Sequence, residues 1–218
     1  KFVLATEATQ QLLPTIRSRC QTHTMRWPGF DESLAWLTQT SAQPAAPVAD
    51  GEEGVKSLKV TKAASQAAAP LPEDLRVLLA ASGGRPADAL QWARGGAFAQ
   101  AARDWRALPK AMARGDVSAL ADWTPPMVVG ALQKLCHDMW TVKLGAKPRF
   151  FSREDLPLPA HRPGSEALMP APSPASLFAL ASWSKELAIT SRTVEHPYNP
   201  GLMLEALVSR ASLALNAR

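Results

Sequence analysis

The residues best suited to chemistry in this chain are Ser18, Arg19 and Cys20, which follow one another directly after the segment 13–17. A guanidinium is planar, always charged and able to bond phosphate oxygens in pairs. An arginine that reaches a neighbouring subunit's nucleotide raises the rate of hydrolysis by about 10³–10⁵ in some NTPases. The alternative is that Arg17 and Arg19 are ordinary surface arginines. We favour the phosphate-directed interpretation because an apolar run precedes this short segment.

That apolar run, Phe2–Thr6, predicts a buried strand. A short helix and a second extended segment over 18–24 are expected to follow it. Arg19 would then lie near the edge of a parallel sheet, where loops carry function. One strand and one short helix cannot form a sheet alone, so we expect a larger N-terminal portion to lie outside this sequence.

The strand, short helix and Ser-Arg-Cys block resembles the clamp-loader subunits of bacterial DNA polymerase III, which belong to the AAA+ family. The resemblance implies that Thr6 falls at or near the position called sensor 1 and that Arg19 is an arginine finger. Ser18 and Cys20 would position the backbone from which the finger approaches the neighbouring site. The resemblance implies no cofactor bound by this chain, because the ATP and Mg²⁺ served by the finger belong to the neighbouring subunit.

A second segment, Ser82–Leu90, resembles the lid domain of the same family, where Gly-Ser-x-Arg-Asp-Ala-Leu carries the sensor 2 arginine. Alignment on Asp88-Ala89-Leu90 puts Ala87 at the position of that arginine, while Arg85 lies two residues earlier. A gap would move Arg85 into place. Without the gap the arginine is absent, which favours the ring subunit that typically does not use ATP over the ATP-hydrolysing gamma/tau type.

The segment Glu195–Glu205 resembles the C-terminal region of these subunits, where a helical collar joins the ring. The resemblance implies three parts. Residues 1–27 are a remnant of an α/β AAA+ ATPase domain, 28–96 a helical lid with a flexible insertion at about 41–70, and 97–218 a helical collar.

The composition favours a mainly α-helical chain. Alanine is abundant, valine and isoleucine are scarce, and aromatic residues make up only 6% of the 218 residues. Apolar periodicity and capping residues predict helices over 32–40 (capped by Asp31), 72–81, 85–94, 97–112 (with a break at Pro109), a short helix holding Leu120, 127–144, 174–193 and 200–215 (capped by Asn199). On the helix 174–193 we expect Leu177, Leu180, Trp183 and Leu187 to face inward, with Ile189 as a further candidate. The proline-rich segment 152–174 predicts an irregular connection.

Metal and hydrolytic chemistry find little support in the sequence. The four histidines do not pair with Cys, Asp or Glu at ligand spacing, so we expect no metal site. The neighbours His137 and Asp138 are expected to point in different directions. Cys20 and Cys136 imply neither a disulfide framework nor a zinc site. Together with the lack of an apolar run of ~18 residues or a signal peptide, this predicts a cytoplasmic protein.

The resemblance implies a subunit that acts as a stator in a five-subunit ring and loads the sliding clamp on primed DNA. It would not hydrolyse ATP alone but would belong to the polymerase III holoenzyme, a nucleotidyltransferase complex. Its partners would be the delta and gamma/tau subunits and, through the complex, the clamp and DNA, with no membrane contact. Two alternatives stay open: an ATP-hydrolysing gamma/tau subunit, and a helical nucleic-acid-binding protein outside the AAA+ family. The net charge of +5 permits the latter, but Lys and Arg are scattered along the chain.

Overall fold

The computed structural model describes residues 2–6, 9–41, 71–92, 98–158, 173–194 and 199–217. These ranges contain α-helices and no β-strand, which confirms the prediction of a mainly α-helical chain. The helices are α1 (Pro14–Arg17), α2 (Phe30–Ser41), α3 (Pro72–Ala81), α4 (Pro86–Trp92), α5 (Phe98–Arg114), α6 (Pro125–Lys143), α7 (Pro174–Thr193) and α8 (Pro200–Asn216). The insertion at about 41–70 lies outside the described residues apart from its first residue, as do 93–97 and most of the proline-rich connection.

The N-terminal segment differs from the sequence prediction. Phe2–Thr6 has no regular secondary structure, and its side chains are exposed, with Phe2 fully so. The prediction of a buried strand is therefore wrong for this chain. A strand needs a neighbouring strand to satisfy its backbone N–H and C=O groups, and the described residues supply none.

Helices α2, α3 and α4 pack together around a small apolar core, to which α5 contributes one residue. The core side chains are Leu37, Leu75, Leu78, Leu79, Ala89 and Ala102. Helix α2 begins one residue before its predicted cap, Asp31. The backbone N–H of Gly29 donates to Glu32 Oε2 at 3.1 Å, so Glu32 supports the helix start and Asp31 lies in the first turn.

Helices α5 to α8 form a second, larger core. One apolar stripe of α6 is buried in it, namely Val128, Leu132, Leu135, Met139 and Val142. Helix α6 packs on α7, and both α5 and α7 pack on α8. Ile189 was predicted to face inward but is 56% exposed, while Leu180 and Trp183 on the same helix are buried as predicted. Because α3 also packs on α5, the two cores adjoin along these helices.

Helix α5 continues through Pro109, where a break was predicted. A proline inside a helix removes one hydrogen bond and crowds the preceding turn, at a cost of about 3 kcal/mol. Apolar side chains are buried on both sides of Pro109, including Trp105, Leu108 and Met112. We attribute the continuous helix to this packing, which offsets the local cost.

The starts of α3, α7 and α8 agree with the sequence prediction to the residue, and those of α8 and α7 have a side-chain cap. Asn199 Oδ1 accepts hydrogen bonds from the backbone N–H groups of Gly201 and Leu202 at 3.0 and 3.3 Å. Ser173 Oγ accepts from the N–H of Ser176 at 3.1 Å, and Pro174 follows as the first residue of α7. In both cases a polar cap precedes a proline, which needs no hydrogen bond at the first helical position.

Candidate functional site

Arg19 lies in the turn that directly follows α1, and its side chain is exposed. The backbone of the turn is held by two hydrogen bonds, from Ser18 N–H to Pro14 O at 2.9 Å and from Arg19 N–H to Ile16 O at 3.1 Å. Ser18 Oγ donates to Thr15 O at 3.1 Å. Ser18 therefore fixes the turn, and Arg19 projects from it on the surface.

The other residues singled out beside Arg19 are also exposed. Cys20 carries an exposed free thiol next to the arginine, and Thr6 lies in the irregular segment 2–6. The structure thus brings Ser18, Arg19 and Cys20 together in one turn. It does not place Thr6 at the end of a strand, and neither of the two clefts described below is lined by Thr6 or Arg19.

The segment compared with sensor 2 forms the connection between α3 and α4. Ala87 is exposed on α4, and Arg85 directly precedes that helix. The guanidinium of Arg85 lies 3.7 Å from Asp88 Oδ2, and its central carbon lies 5.6 Å from the centre of the Trp27 ring. Arg85 thus joins the start of α4 to the segment that leads from Cys20 into α2.

The turn between α3 and α4 depends on two glycines. Gly83 and Gly84 have φ values of +72° and +87°, which side chains with a Cβ rarely adopt. Gly84 N–H donates to Leu79 O at 2.8 Å and so caps the end of α3. A Cβ on Gly83 would lie 3.5 Å from the Phe150 ring, which shows how closely the turn approaches the loop after α6.

Lys134 on α6 reaches the same turn. Its Nζ donates to Ala81 O at 2.7 Å, and it lies 5.7–5.8 Å from the ring centres of Trp92, Trp105 and Phe150. Burial lowers the pKa of Lys134; the carboxylate of Asp88 opposes this shift and the charge of Arg85 adds to it. Three aromatic rings surround the ammonium group, and its hydrogen bond to Ala81 O links α6 to the end of α3.

Asp138, one turn further along α6, is fully buried and holds the loop after the helix. Its carboxylate accepts hydrogen bonds from the backbone N–H groups of Arg149, Phe150 and Phe151 at 2.9, 2.7 and 2.8 Å. His137 Nδ1 lies 3.0 Å from Asp138 Oδ1, so the expectation that these neighbours point apart is wrong. No group of three His, Cys, Asp or Glu side chains that could hold a metal occurs among the described residues.

Aromatic side chains complete this junction. Trp105 stacks on Phe151 with ring centres 4.4 Å apart, and its Nε1 donates to Phe150 O at 3.0 Å. Trp92 meets Trp105 edge to face at 5.0 Å. Trp105 therefore serves as a core anchor.

These elements border a cleft of ≈ 700 Å³, which we call the junction cleft. Its wall includes Trp27, Arg85, Asp88, Lys134, Arg149 and Phe150. Arg149 Nη2 donates to Gly83 O at 3.3 Å, and the guanidinium carbon lies 5.4 Å from the Phe150 ring centre. The junction cleft was not predicted from the sequence. Its three cations are far apart in the sequence and form no local motif that would indicate a common site.

A second, apolar groove of ≈ 320 Å³ lies between α7 and α8. Trp183, Leu187 and Leu207 form part of its wall, and an ion pair between Arg210 and Glu186 at 3.7 Å stands at its edge. The indole N–H of Trp183 is buried and has no hydrogen-bond partner among the described residues.

No protein-family model matches this chain, and neither a curated protein nor a solved structure matches it. Among the helices that the structure describes, none has the length and apolar character needed to cross a membrane.

Proposed function

We propose that this chain is a delta-prime-type clamp-loader subunit of bacterial DNA polymerase III. It would act as a stator in a five-subunit ring with delta and gamma/tau subunits, and the ring would open the sliding clamp and load it on primed DNA. The observation that carries the proposal is the Ser-Arg-Cys turn after α1, which presents Arg19 on the surface with its backbone fixed. An arginine in this setting suits phosphate charge in a neighbouring subunit.

The environment of Arg85 supports a subunit that does not hydrolyse ATP. The arginine position of the lid segment is occupied by Ala87 on the ungapped alignment. Arg85, the alternative candidate, lies against Asp88 and Trp27. These contacts give Arg85 a structural role at the turn before α4, and they favour delta-prime over the gamma/tau type.

The outer surfaces of α7 and α8 support an assembly role for the C-terminal bundle. Leu202 and Leu213 on α8 are 66% and 67% exposed and lie three turns apart on one face of the helix. Phe178 and Ile189 on α7 have the same separation and are 74% and 56% exposed. Exposed large apolar side chains are typical of a surface that binds another protein, and here polar residues of the same face separate each pair, namely Lys185 on α7 and Glu205 and Ser209 on α8.

The proposal is tested by assembly with delta and gamma/tau subunits, with native mass spectrometry as the readout. We expect one copy of the full chain in each ring. Leu213→Asp should reduce ring formation by about tenfold or more, because it replaces an exposed apolar side chain of the proposed interface by a charge. Leu144→Asp is the matched control, since Leu144 is similarly exposed, at 64%, but lies at the end of α6. A chain that never enters the ring, or equal effects of the two substitutions, would contradict the proposal.

A further inference from the structure

We infer that the junction cleft binds a phosphate group that carries a nucleobase, either in a single strand of nucleic acid or in a free nucleotide. This inference does not rest on the proposed role in a clamp-loader ring. It rests on three cations, one carboxylate and a set of aromatic rings that border the same cleft.

Two of the cations are held in fixed positions on the same turn. Lys134 Nζ is bonded to Ala81 O at 2.7 Å and Arg149 Nη2 to Gly83 O at 3.3 Å. The two groups also flank one ring, since they lie 5.8 and 5.4 Å from the centre of Phe150. An ammonium group has three N–H donors and a guanidinium has five, so these bonds leave both side chains able to donate to phosphate oxygens.

Arg85 brings a third positive charge to the cleft. Among the described residues that border the cleft, Asp88 is the only acidic one, and it lies 3.7 Å from the guanidinium of Arg85, so Lys134 and Arg149 carry the net formal charge of +2. Burial destabilises the charged form of Lys134, while the carboxylate of Asp88 opposes this effect and the smaller one of Arg85, so a bound anion would stabilise a partly desolvated ammonium group. An excess of positive charge in a concave, partly desolvated site attracts phosphate more strongly than a flat basic surface does.

Trp27 distinguishes a nucleotide from a simple anion. Its ring is 66% exposed, borders the cleft and lies 5.6 Å from the guanidinium carbon of Arg85. Bases stack on exposed aromatic rings with little dependence on sequence, and adjacent cations bind the backbone. The volume of ≈ 700 Å³ is also within the range of about 300–1,000 Å³ that is usual for small-molecule sites.

The test measures binding of three probes to the full chain: a fluorescent single-stranded oligothymidylate, ATP and inorganic tripolyphosphate. Arg149→Gln should weaken oligonucleotide binding by about fivefold and reduce the salt slope by about 0.7. Arg153→Gln is the matched control, because Arg153 is exposed on the same loop but does not border the cleft. We expect it to change affinity by less than about twofold.

A second variant separates base stacking from charge. Trp27→Leu should weaken binding of the oligonucleotide and ATP but leave tripolyphosphate binding unchanged, because tripolyphosphate has no base to stack. Tighter binding of the oligonucleotide than of ATP would identify a strand as the ligand, and the reverse would identify a free nucleotide. Polyglutamate serves as an anionic control without phosphate or base. The inference is overturned if neither the oligonucleotide nor ATP binds at millimolar concentration, if Arg149→Gln and Arg153→Gln act equally, or if polyglutamate binds as well as the oligonucleotide.

Discussion

Two charged side chains on α6 connect the two cores of the molecule. Asp138 accepts hydrogen bonds from three successive backbone amides in the loop that follows the helix. Lys134, one turn earlier, donates to the last residue of α3. Burying a charged group costs free energy unless hydrogen-bond partners surround it. Both side chains therefore favour the arrangement in which the loop after α6 and the end of α3 supply those partners. They fix the positions of the loop and the turn that form the wall of the junction cleft.

The lowered pKa of Lys134 predicts a specific dependence of stability on pH. Because burial lowers its pKa below 10.5, the unfolded chain holds this proton over a pH range in which the folded chain has already lost it. The free energy of unfolding of the wild type, measured relative to Lys134→Met, should therefore rise as pH increases towards 10.5. Asp88 and Arg85 are the charged groups that face Lys134.

Urea denaturation of both proteins at a series of pH values measures this difference. Lys185→Met is a matched control, because Lys185 is exposed on α7. A difference between wild type and Lys134→Met that is constant, or that falls with rising pH, would show that Lys134 is not desolvated in the folded protein.

The candidate residues were predictable from sequence only where they are local. Ser18, Arg19 and Cys20 are consecutive, and one short helix suffices to place them in a single turn. The environment of Asp138 was not predictable, because its partners come from a loop whose position depends on packing between helices. Arg85 and Arg149 likewise border one cleft only because packing brings the loop after α6 to the turn between α3 and α4.

At the scale of elements, the turn between α3 and α4 decides how the smaller helical core meets the larger one. It needs a left-handed backbone at two successive residues, and it must pass close to the Phe150 ring. Glycine meets both requirements at Gly83.

Replacing Gly83 by alanine should lower the free energy of unfolding by about 1–2 kcal/mol. The positive φ strains the new residue, whereas its Cβ would make an ordinary contact with the Phe150 ring at 3.5 Å. Gly130→Ala is the matched control, because Gly130 lies inside α6 and a Cβ there meets nothing within 4 Å. It should instead stabilise the protein by about 0.5–1 kcal/mol. Calorimetry of both variants gives the comparison, and a stabilising effect of Gly83→Ala would refute the account of the turn.

The helices themselves were largely predictable, because their boundaries depend on local chemistry. Proline at the first position of α3, α7 and α8 and the cap at Asn199 mark helix starts within one residue. The failures have tertiary causes. The run Phe2–Thr6 has no neighbouring strand among the described residues, and Pro109 is carried through α5 by burial of the surrounding apolar face.

At the scale of the whole molecule, the described parts offer two surfaces of different chemistry. The turn at Arg19 and the junction cleft present positive charge, whereas the outer faces of α7 and α8 present exposed apolar side chains. This separation suits the proposed subunit, in which the C-terminal bundle would bind other subunits and the positively charged surfaces at Arg19 and the junction cleft would bind phosphate. The two roles are separable by mutation, since no residue belongs to both surfaces.

The most direct measurement is ATP turnover by a reconstituted ring that contains wild type, Arg19→Ala or Arg17→Ala. Arg17 is the matched control, because it is an exposed arginine in the last turn of α1, two residues before Arg19. We predict that Arg19→Ala lowers DNA- and clamp-stimulated turnover by about tenfold or more while the ring stays intact by native mass spectrometry, and that Arg17→Ala changes it by less than about twofold. Wild-type turnover by an intact ring that contains Arg19→Ala would contradict the proposal that Arg19 acts at a neighbouring ATP site.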